Sequence, residues 1–378
     1  MRRVYLDYNA STPIAAEVTD AMRPFLTEHY GNPSSHHWAG APAKAALERA
    51  RAQVASLLAS KPEEIIFTSG GTEANNFAIK GVFFARRDRG NHIVTTQIEH
   101  PATLEPCRFL ERMGAEVTYV PVDGTGMVDP DAVRRAITNR TILVSVMHAN
   151  NEVGTVQPIA DIARITRERN VLMHTDAAQS VGKIPTRVGD LGVDLLSVAG
   201  HKAYAPKGVG ALYVREGVKL EPLMHGAGHE AGRRAGTENV LLNVGLGAAC
   251  DLALKELDSR FAHLTAMRDR LQGGLERLFG RALRLNGHPS ARLPNTLNVS
   301  FIGHTGSLLL DALGNLAAST GSACHSGRHD LSPVLKAMGV PENVGLGAVR
   351  FSVGRATTQE EIDIVLELMR TQVLQKKL

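Results

Sequence analysis

The chain has 378 residues, 43% of them apolar and 21% charged, with a formal net charge of +4. That length and balance suit two unequal hydrophobic cores and exclude a disordered, collagen-like or low-complexity chain. The basic residues come as scattered pairs (Arg86-Arg87, Arg134-Arg135, Arg233-Arg234) with only 4% aromatics, so no nucleic-acid groove is expected.

At the N-terminus, Arg2-Arg3 lead into Tyr5-Leu6-Asp7 rather than into the apolar stretch of a secretory leader, so a cytoplasmic protein is expected. The short run Val4-Tyr5-Leu6 is expected to join a strand set formed by the distant tail. From Ile14 to about Leu254, seven apolar runs rich in β-branched residues read as strands: Ile65-Ile66-Phe67, 92–96, 117–120, 142–146, 171–174, 194–198 and 210–214. Stretches of helical spacing (43–59, 103–113, 159–168) lie between most of them, which predicts an α/β fold with a mainly parallel seven-stranded sheet covered on both faces. The glycine-rich stretch 199–236 suits backbone wrapped around a ligand.

The most apolar segment, Val240 to Leu254, is broken by Asn243, two glycines and Asp251, short of the roughly 20 residues a membrane helix needs. Residues 240–278 read as a long helix or helix pair bridging two domains. The tail offers strands near 296–301 and 348–353 and helices near 307–313, 332–338 and 359–375. The expected division is a large domain over 14–254 and a smaller α+β domain from 1–13 and 255–378.

In open α/β sheets, ligands sit beyond the carboxyl ends of the strands, so the residues after each run matter most. The first run is followed by Ser69-Gly70-Gly71-Thr72-Glu73-Ala74-Asn75-Asn76, a glycine turn opening a helix. Its free N–H groups and the Thr72 hydroxyl make either a phosphate cup or an ordinary helix cap. Later strand ends carry Glu99-His100-Pro101, then His148-Ala149-Asn150-Asn151-Glu152, then Asp176-Ala177-Ala178-Gln179, then Gly200-His201-Lys202. A lone polar residue there usually orders its own loop. Four consecutive ends with such groups suggest a ligand instead.

Phosphate cup, acid and lysine together match pyridoxal 5′-phosphate, which has a phosphate, a heteroaromatic nitrogen and an aldehyde. A lysine condenses with an aldehyde only when neutral, and Lys202, at the mouth of a buried strand beside His201, is placed for a lowered pKa. Asp176 is placed to keep a pyridine nitrogen protonated, which makes the ring an electron sink. Gln179 is then in reach of the phenolic oxygen, and His100 of the ring face.

These segments resemble the cysteine desulfurase family, within the class V, fold-type I group of pyridoxal phosphate enzymes. The motifs that carry the resemblance run in register almost end to end. They are 5–10 (YLDYNA), 31–35 (GNPSS), 71–76 (GTEANN), 99–101 (EHP), 150–154 (NNEVG), 174–179 (HTDAAQ), 200–202 (GHK), 234–239 (RAGTEN), 321–324 (GSAC) and 350–355 (RFSVGR).

The resemblance implies a homodimer in which Lys202 carries the cofactor. Gly71, Thr72 and His201 hold the phosphate, joined by Thr237 from the other subunit. Asp176 pairs with the pyridinium, Gln179 (with Asn150 as a second candidate) meets the ring oxygen, and His100 stacks on the ring. Arg350 clamps the substrate carboxylate, a bidentate task suited to guanidinium, with Asn150 or Asn32 nearby. Ala199 stands where the family often has a phosphate-binding serine.

Cys324 decides the expected reaction. It lies among small residues in 320–327, beside His325, whereas Cys250 sits among leucines and Cys107 in a helix-like stretch. The expected reaction has L-cysteine displace Lys202 from the cofactor aldehyde and Lys202 remove the Cα proton. The Cys324 thiolate then attacks the substrate sulfur, with His100 as the acid or base, leaving a persulfide and L-alanine. A sulfur-acceptor protein, in iron–sulfur assembly or tRNA thiolation, would take the persulfide onward. Alternatives are a selenocysteine lyase acting on L-selenocysteine, for which Ala199 and His325 speak, and a non-catalytic partner module. A metal site of Cys324, His325, His329 and Asp330 lacks a second ligand cluster, and His225 and His229 read as a loop; no metal is expected.

Overall fold

The computed structural model describes residues 2–320 and 331–374. Within them the strands are β1 (Val4–Tyr5), β2 (Ile65–Thr68), β3 (His92–Thr96), β4 (Glu116–Val120), β5 (Thr141–Ser145), β6 (Leu172–Asp176), β7 (Leu195–Ala199), β8 (Gly210–Val214), β9 (Leu283–Asn286), β10 (Thr296–Phe301), β11 (Leu316–Ala317) and β12 (Ala348–Ser352).

Seven of these form one sheet in the order β2-β8-β7-β6-β5-β3-β4. Neighbours from β7 to β4 run parallel, and β8 lies antiparallel between β2 and β7. The mainly parallel seven-stranded sheet of an α/β fold is therefore present. Alternation places successive strand residues on opposite faces. Val144, Met173, Leu196 and Ala211 pack with Leu47, Val54, Leu246 and Cys250 on one face. Their neighbours Leu143, Leu172, Leu195 and Leu212 pack with Phe77, Val82, Cys107 and Leu110 on the other. Both faces are dry, which is why these strands read as continuous apolar runs.

The helices Gly40–Leu58, Gly71–Ala85 and Pro101–Glu111 cover the sheet. Residues 240–279 form a single helix of 40 residues, about 60 Å long at 1.5 Å per residue. Its first half packs into the sheet core through Leu246, Ala249 and Ala253. Its second half enters a different core through Leu264, Leu271, Leu275 and Phe279. Gly247 permits the crossing with the helix Gly40–Leu58, because a Cβ there would lie 2.6 Å from the Ala50 Cα.

The second core is built on the antiparallel set β12-β10-β9 and on β1, which pairs in parallel with β11. The N-terminal strand thus does join the tail. Strands β9 and β11 lie outside the sequence expectation: β9 is a half-exposed edge strand, and β11 has only two residues. The last expected helix ends at Leu368 and continues as a wider π turn over Met369–Leu374. No helix among the described residues is long and apolar enough to cross a membrane.

Candidate active site

Parallel strands end on one edge, so β2, β3, β5, β6 and β7 deliver their following residues to the same place. There a cavity of about 700 Å³ is lined by Gly71, Thr72, Asn75, His100, Asn151, Asp176, Gln179, Ala199, His201 and Lys202, with Arg350 entering from β12. Each is held by its element. Gly70 adopts φ +150°, a conformation L side chains rarely take, and turns β2 sharply into the helix Gly71–Ala85. The first N–H groups of that helix have no partner within it and face the cavity beside Thr72. A Cβ on Gly71 would meet the Ala199 Cβ at 3.0 Å, so the helix start lies directly against the end of β7.

Asp176 closes β6. Its Oδ2 accepts from Asn75 Nδ2 at 2.6 Å and its Oδ1 from the Ala178 N–H at 2.9 Å, so amide donors rather than a cation hold it. Asn75 Oδ1 is buried without a partner.

Lys202 follows β7, with Nζ donating to the carbonyls of Asn9 at 2.6 Å and Ala10 at 2.8 Å. Burial, reinforced by Arg350 and opposed by Asp7 and Asp176, brings its pKa down to about 8. His201 contacts the Ser11 hydroxyl at 3.3 Å, and burial with Lys202 nearby lowers its pKa to about 4, so it is neutral at pH 7.

His100 caps the helix Pro101–Glu111, its Nδ1 accepting from the Ala102 N–H at 3.1 Å. That fixes the tautomer, leaving Nε2–H for the cavity. Desolvation by the cavity walls lowers its pKa against the pull of Asp176. The preceding Glu99 is buried, accepts from Thr96 Oγ1 and the Met147 N–H, and has its pKa pushed up to about 8 by burial. It ties the turn that carries His100 to the segment after β5.

Arg350 donates from Nη1 to the Asn151 carbonyl at 3.0 Å and from Nη2 to Asp7 Oδ1 at 2.8 Å, while its buried Nε has no partner among the described residues. Its backbone pairs with Ser319, and the next residue, Thr320, lines the cavity.

The structure brings Gly71, Thr72, His100, Asp176, Gln179, His201, Lys202 and Arg350 to one cavity, and leaves three expected residues elsewhere. Asn150 is a correction. Its Nδ2 donates to the Ile98 carbonyl and its Oδ1 accepts from the N–H groups of Glu152 and Val153, so its whole amide shapes the turn. Asn151 faces the cavity in its place. Asn32 is a second correction: it is exposed, caps the Ser34 N–H, and does not line the cavity. Thr237 lines a separate cavity of about 250 Å³ with Arg234, Glu238 and Asn243. Cys324 and the rival ligands His325, His329 and Asp330 lie outside the described residues.

Three residues were missed: Asn75 and Asn9, both inside quoted motifs, and Lys183. Asn9 and Asn75 are signalled by their place inside those motifs, whereas nothing in the local sequence marks Lys183 as buried. Cys107 and Cys250 are buried, which pushes both thiols up to about 12.

The sequence model described as aminotransferase class-V matches residues 4–365. The chain is 50% identical to a cysteine desulfurase IscS of Dictyoglomus turgidum over 97% of this chain and 94% of that one. It is 50% identical to that of Methanosarcina thermophila over 99% and 93%. Among solved structures, a NifS-like protein superposes with a TM-score of 0.93 at 40% identity, covering 100% of both chains. SspA, solved in complex with cysteine, gives 0.82 at 38% identity over 93% of this chain and 98% of that one. Class-V aminotransferases, cysteine desulfurases among them, are pyridoxal phosphate enzymes. With the geometry and the relatives in agreement over nearly its whole length, this chain belongs to the class-V aminotransferase family and, within it, to the cysteine desulfurases.

Proposed function

We propose that the cavity holds pyridoxal 5′-phosphate and that the enzyme binds L-cysteine against Arg350, moves its sulfur onto Cys324 and releases L-alanine. One observation carries this reading: an amine with a pKa of about 8 and a buried carboxylate held by amide donors share a cavity with a glycine-opened helix N-terminus. The donor set fits the cofactor. The N–H groups of Gly71 and Thr72, the Thr72 hydroxyl and neutral His201 suit a phosphate. Asp176 suits a pyridinium and Gln179 a phenolic oxygen.

When bound, the cofactor supplies an aldehyde that captures an amine and a ring that withdraws electrons from the adjoining carbon. Lys202, partly neutral near pH 8, takes the Cα proton. Asp176 keeps a proton on the ring nitrogen. Arg350 offers its free Nε–H edge to the substrate carboxylate. His100 covers the ring and exchanges a proton near the substrate sulfur through Nε2. The Cys324 thiolate attacks that sulfur: an S–S bond forms, the C–S bond breaks, and its electron pair stays with the carbon skeleton. Protonation of Cβ and return of the Cα proton from Lys202 would give L-alanine and leave a persulfide on Cys324. The anchoring of Ser319 to Arg350 and the place of Thr320 on the cavity wall support delivery of this thiol.

The reading includes a cytoplasmic homodimer, in which Thr237 reaches the other subunit's phosphate, a large and a small domain divided near residue 254, and an acceptor protein for the sulfur. The separation of Thr237 from Asp176 and Lys202 within one chain supports the dimer.

Borohydride reduction of the loaded protein, followed by peptide mapping, should tag Lys202. A tag elsewhere, or none, sinks the reading. Cys324→Ala should abolish sulfide release from L-cysteine while leaving cofactor absorbance intact; the same assay with L-selenocysteine separates desulfurase from selenocysteine lyase.

A further inference from the structure

Behind the cavity lies a second buried lysine that the reaction above does not use. Lys183 is 5% exposed and sits four residues after Gln179 in a succession of tight turns over 177–184. Its Nζ donates to Gln179 Oε1 at 2.9 Å and reaches Asn9 Oδ1 at 3.4 Å. Both are amide oxygens. Among the described residues Lys183 forms no ion pair, and the charged groups that act on it, Lys202, Arg350 and Arg260, are all positive. Burial and those cations hold its pKa well below the ordinary lysine value. A buried amine in such company costs stability unless its hydrogens do something specific.

The acceptors are themselves fixed. Asn9 donates from Nδ2 to Thr296 Oγ1 at 2.8 Å and accepts at Oδ1 from Asn295 Nδ2 at 2.9 Å, so its oxygen must face Lys183. The Asn9 carbonyl accepts from Lys202 Nζ at 2.6 Å and from Gln179 Nε2 at 3.0 Å. A glutamine amide has two ends of nearly equal size and opposite polarity, and only its hydrogen-bond partners choose between them. An ammonium has no lone pair. Even a neutral amine has both its hydrogens committed by two acceptor oxygens.

We propose that Lys183 is a positioning residue for the cofactor: by holding Gln179 Oε1 it turns the Nε2–H₂ end of that amide toward the cavity, where the second hydrogen meets the anionic ring oxygen. Without Lys183 one of the two anchors of the amide is lost, and only the Asn9 carbonyl, 3.0 Å from Nε2, opposes a flip that would present Oε1 to that anion. The inference rests on the reading that the cavity holds a pyridoxal ring.

The test is a double-mutant cycle read by titrating unloaded protein with pyridoxal 5′-phosphate and following absorbance. Lys183→Met should weaken binding about three- to tenfold, the worth of one mis-set hydrogen bond, and Gln179→Leu should weaken it similarly. In Gln179→Leu protein, adding Lys183→Met should cost nothing further, because there is no amide left to orient. A merely structural role for Lys183 would persist in both backgrounds, so additive losses overturn the proposal, as does unchanged affinity in Lys183→Met.

If Lys183→Met does not fold, the thermal midpoint of unloaded Gln179→Glu decides. It rises if an amine proton faces position 179 and falls if none does. A wild-type protein that takes no cofactor, or takes it on a lysine other than Lys202, sinks the cofactor reading and this inference together. A wild type loaded at Lys202 with an indifferent Lys183 sinks the inference alone.

Discussion

The cavity has two walls of different construction. One is the edge of the parallel sheet, where Asp176 ends β6 and Lys202, His100 and the Gly71 turn come shortly after β7, β3 and β2. The other is assembled from sequence-remote pieces: Arg350 on β12, Thr320 beside the Ser319 bridge, and Ser307, Leu310 and Asp311 from the helix near them. The sheet wall is rigid because every strand there is dry on both faces. The far wall rests on a smaller core and on polar ties such as Arg350 to Asp7. The proposed function places cofactor chemistry on the first wall and substrate capture on the second.

The largest expected effect tests the first wall. In the proposed site, Asp176→Asn removes the charge that would hold a proton on the ring nitrogen; its one amide oxygen keeps the Ala178 N–H, and its Nδ2 can no longer accept from Asn75, whose amide must turn its Oδ1 to receive it. The turnover rate should fall on the order of 10² to 10³, as when a preorganised charge partner is lost, with the Michaelis constant little changed. Steady-state kinetics on cysteine that showed only a raised Michaelis constant would erase the distinction between the walls. On the second wall, Arg350→Lys keeps the charge and loses the fork. The Michaelis constant for L-cysteine should rise about 10- to 100-fold, the worth of one or two charge-assisted hydrogen bonds, while turnover at saturation changes far less.

The walls also communicate through charge, and a pH series reads this. Lys202 captures an aldehyde only when neutral, so below a pKa of about 8 the capture rate should fall roughly tenfold per pH unit, and above it level off. After burial, Arg350 is the next cause of that lowering. Arg350→Gln should therefore move the midpoint upward. A midpoint that stays put in the variant would mean that burial alone sets the amine.

The first wall was legible in the sequence because a polar residue directly after a β-branched run can only sit at a sheet edge. Asp176 and Lys202 are placed at that edge by this alone, and it takes the set of four such strand ends to point to a ligand. The order of strands was not legible, since β8 inserts between β2 and β7 by pairing across more than a hundred residues of chain. Asn150 and Asn151 show a finer failure. Two identical neighbours differ only in which carries the turn, and that is settled by the N–H groups of Glu152 and Val153 two and three residues on. Lys183 was invisible for a related reason: nothing local says that a lysine one turn beyond Gln179 points inward.

The smallest effect concerns Ala199. It ends β7, is 5% exposed, and its Cβ stands 3.0 Å from where a Cβ of Gly71 would be. A hydroxyl placed on that Cβ would lie beside the helix N-terminus that faces the cavity, within reach of an anion seated there. Ala199→Ser should therefore tighten pyridoxal 5′-phosphate binding by about two- to tenfold, the value of one added hydrogen bond to a charged group in a partly open site. The comparison compound is pyridoxal without its phosphate, for which the same substitution should change nothing. Equal gains for both would place the new hydroxyl against the ring rather than the phosphate. A loss for the phosphorylated form alone would mean that the anion sits elsewhere on this wall, away from the Gly71 turn.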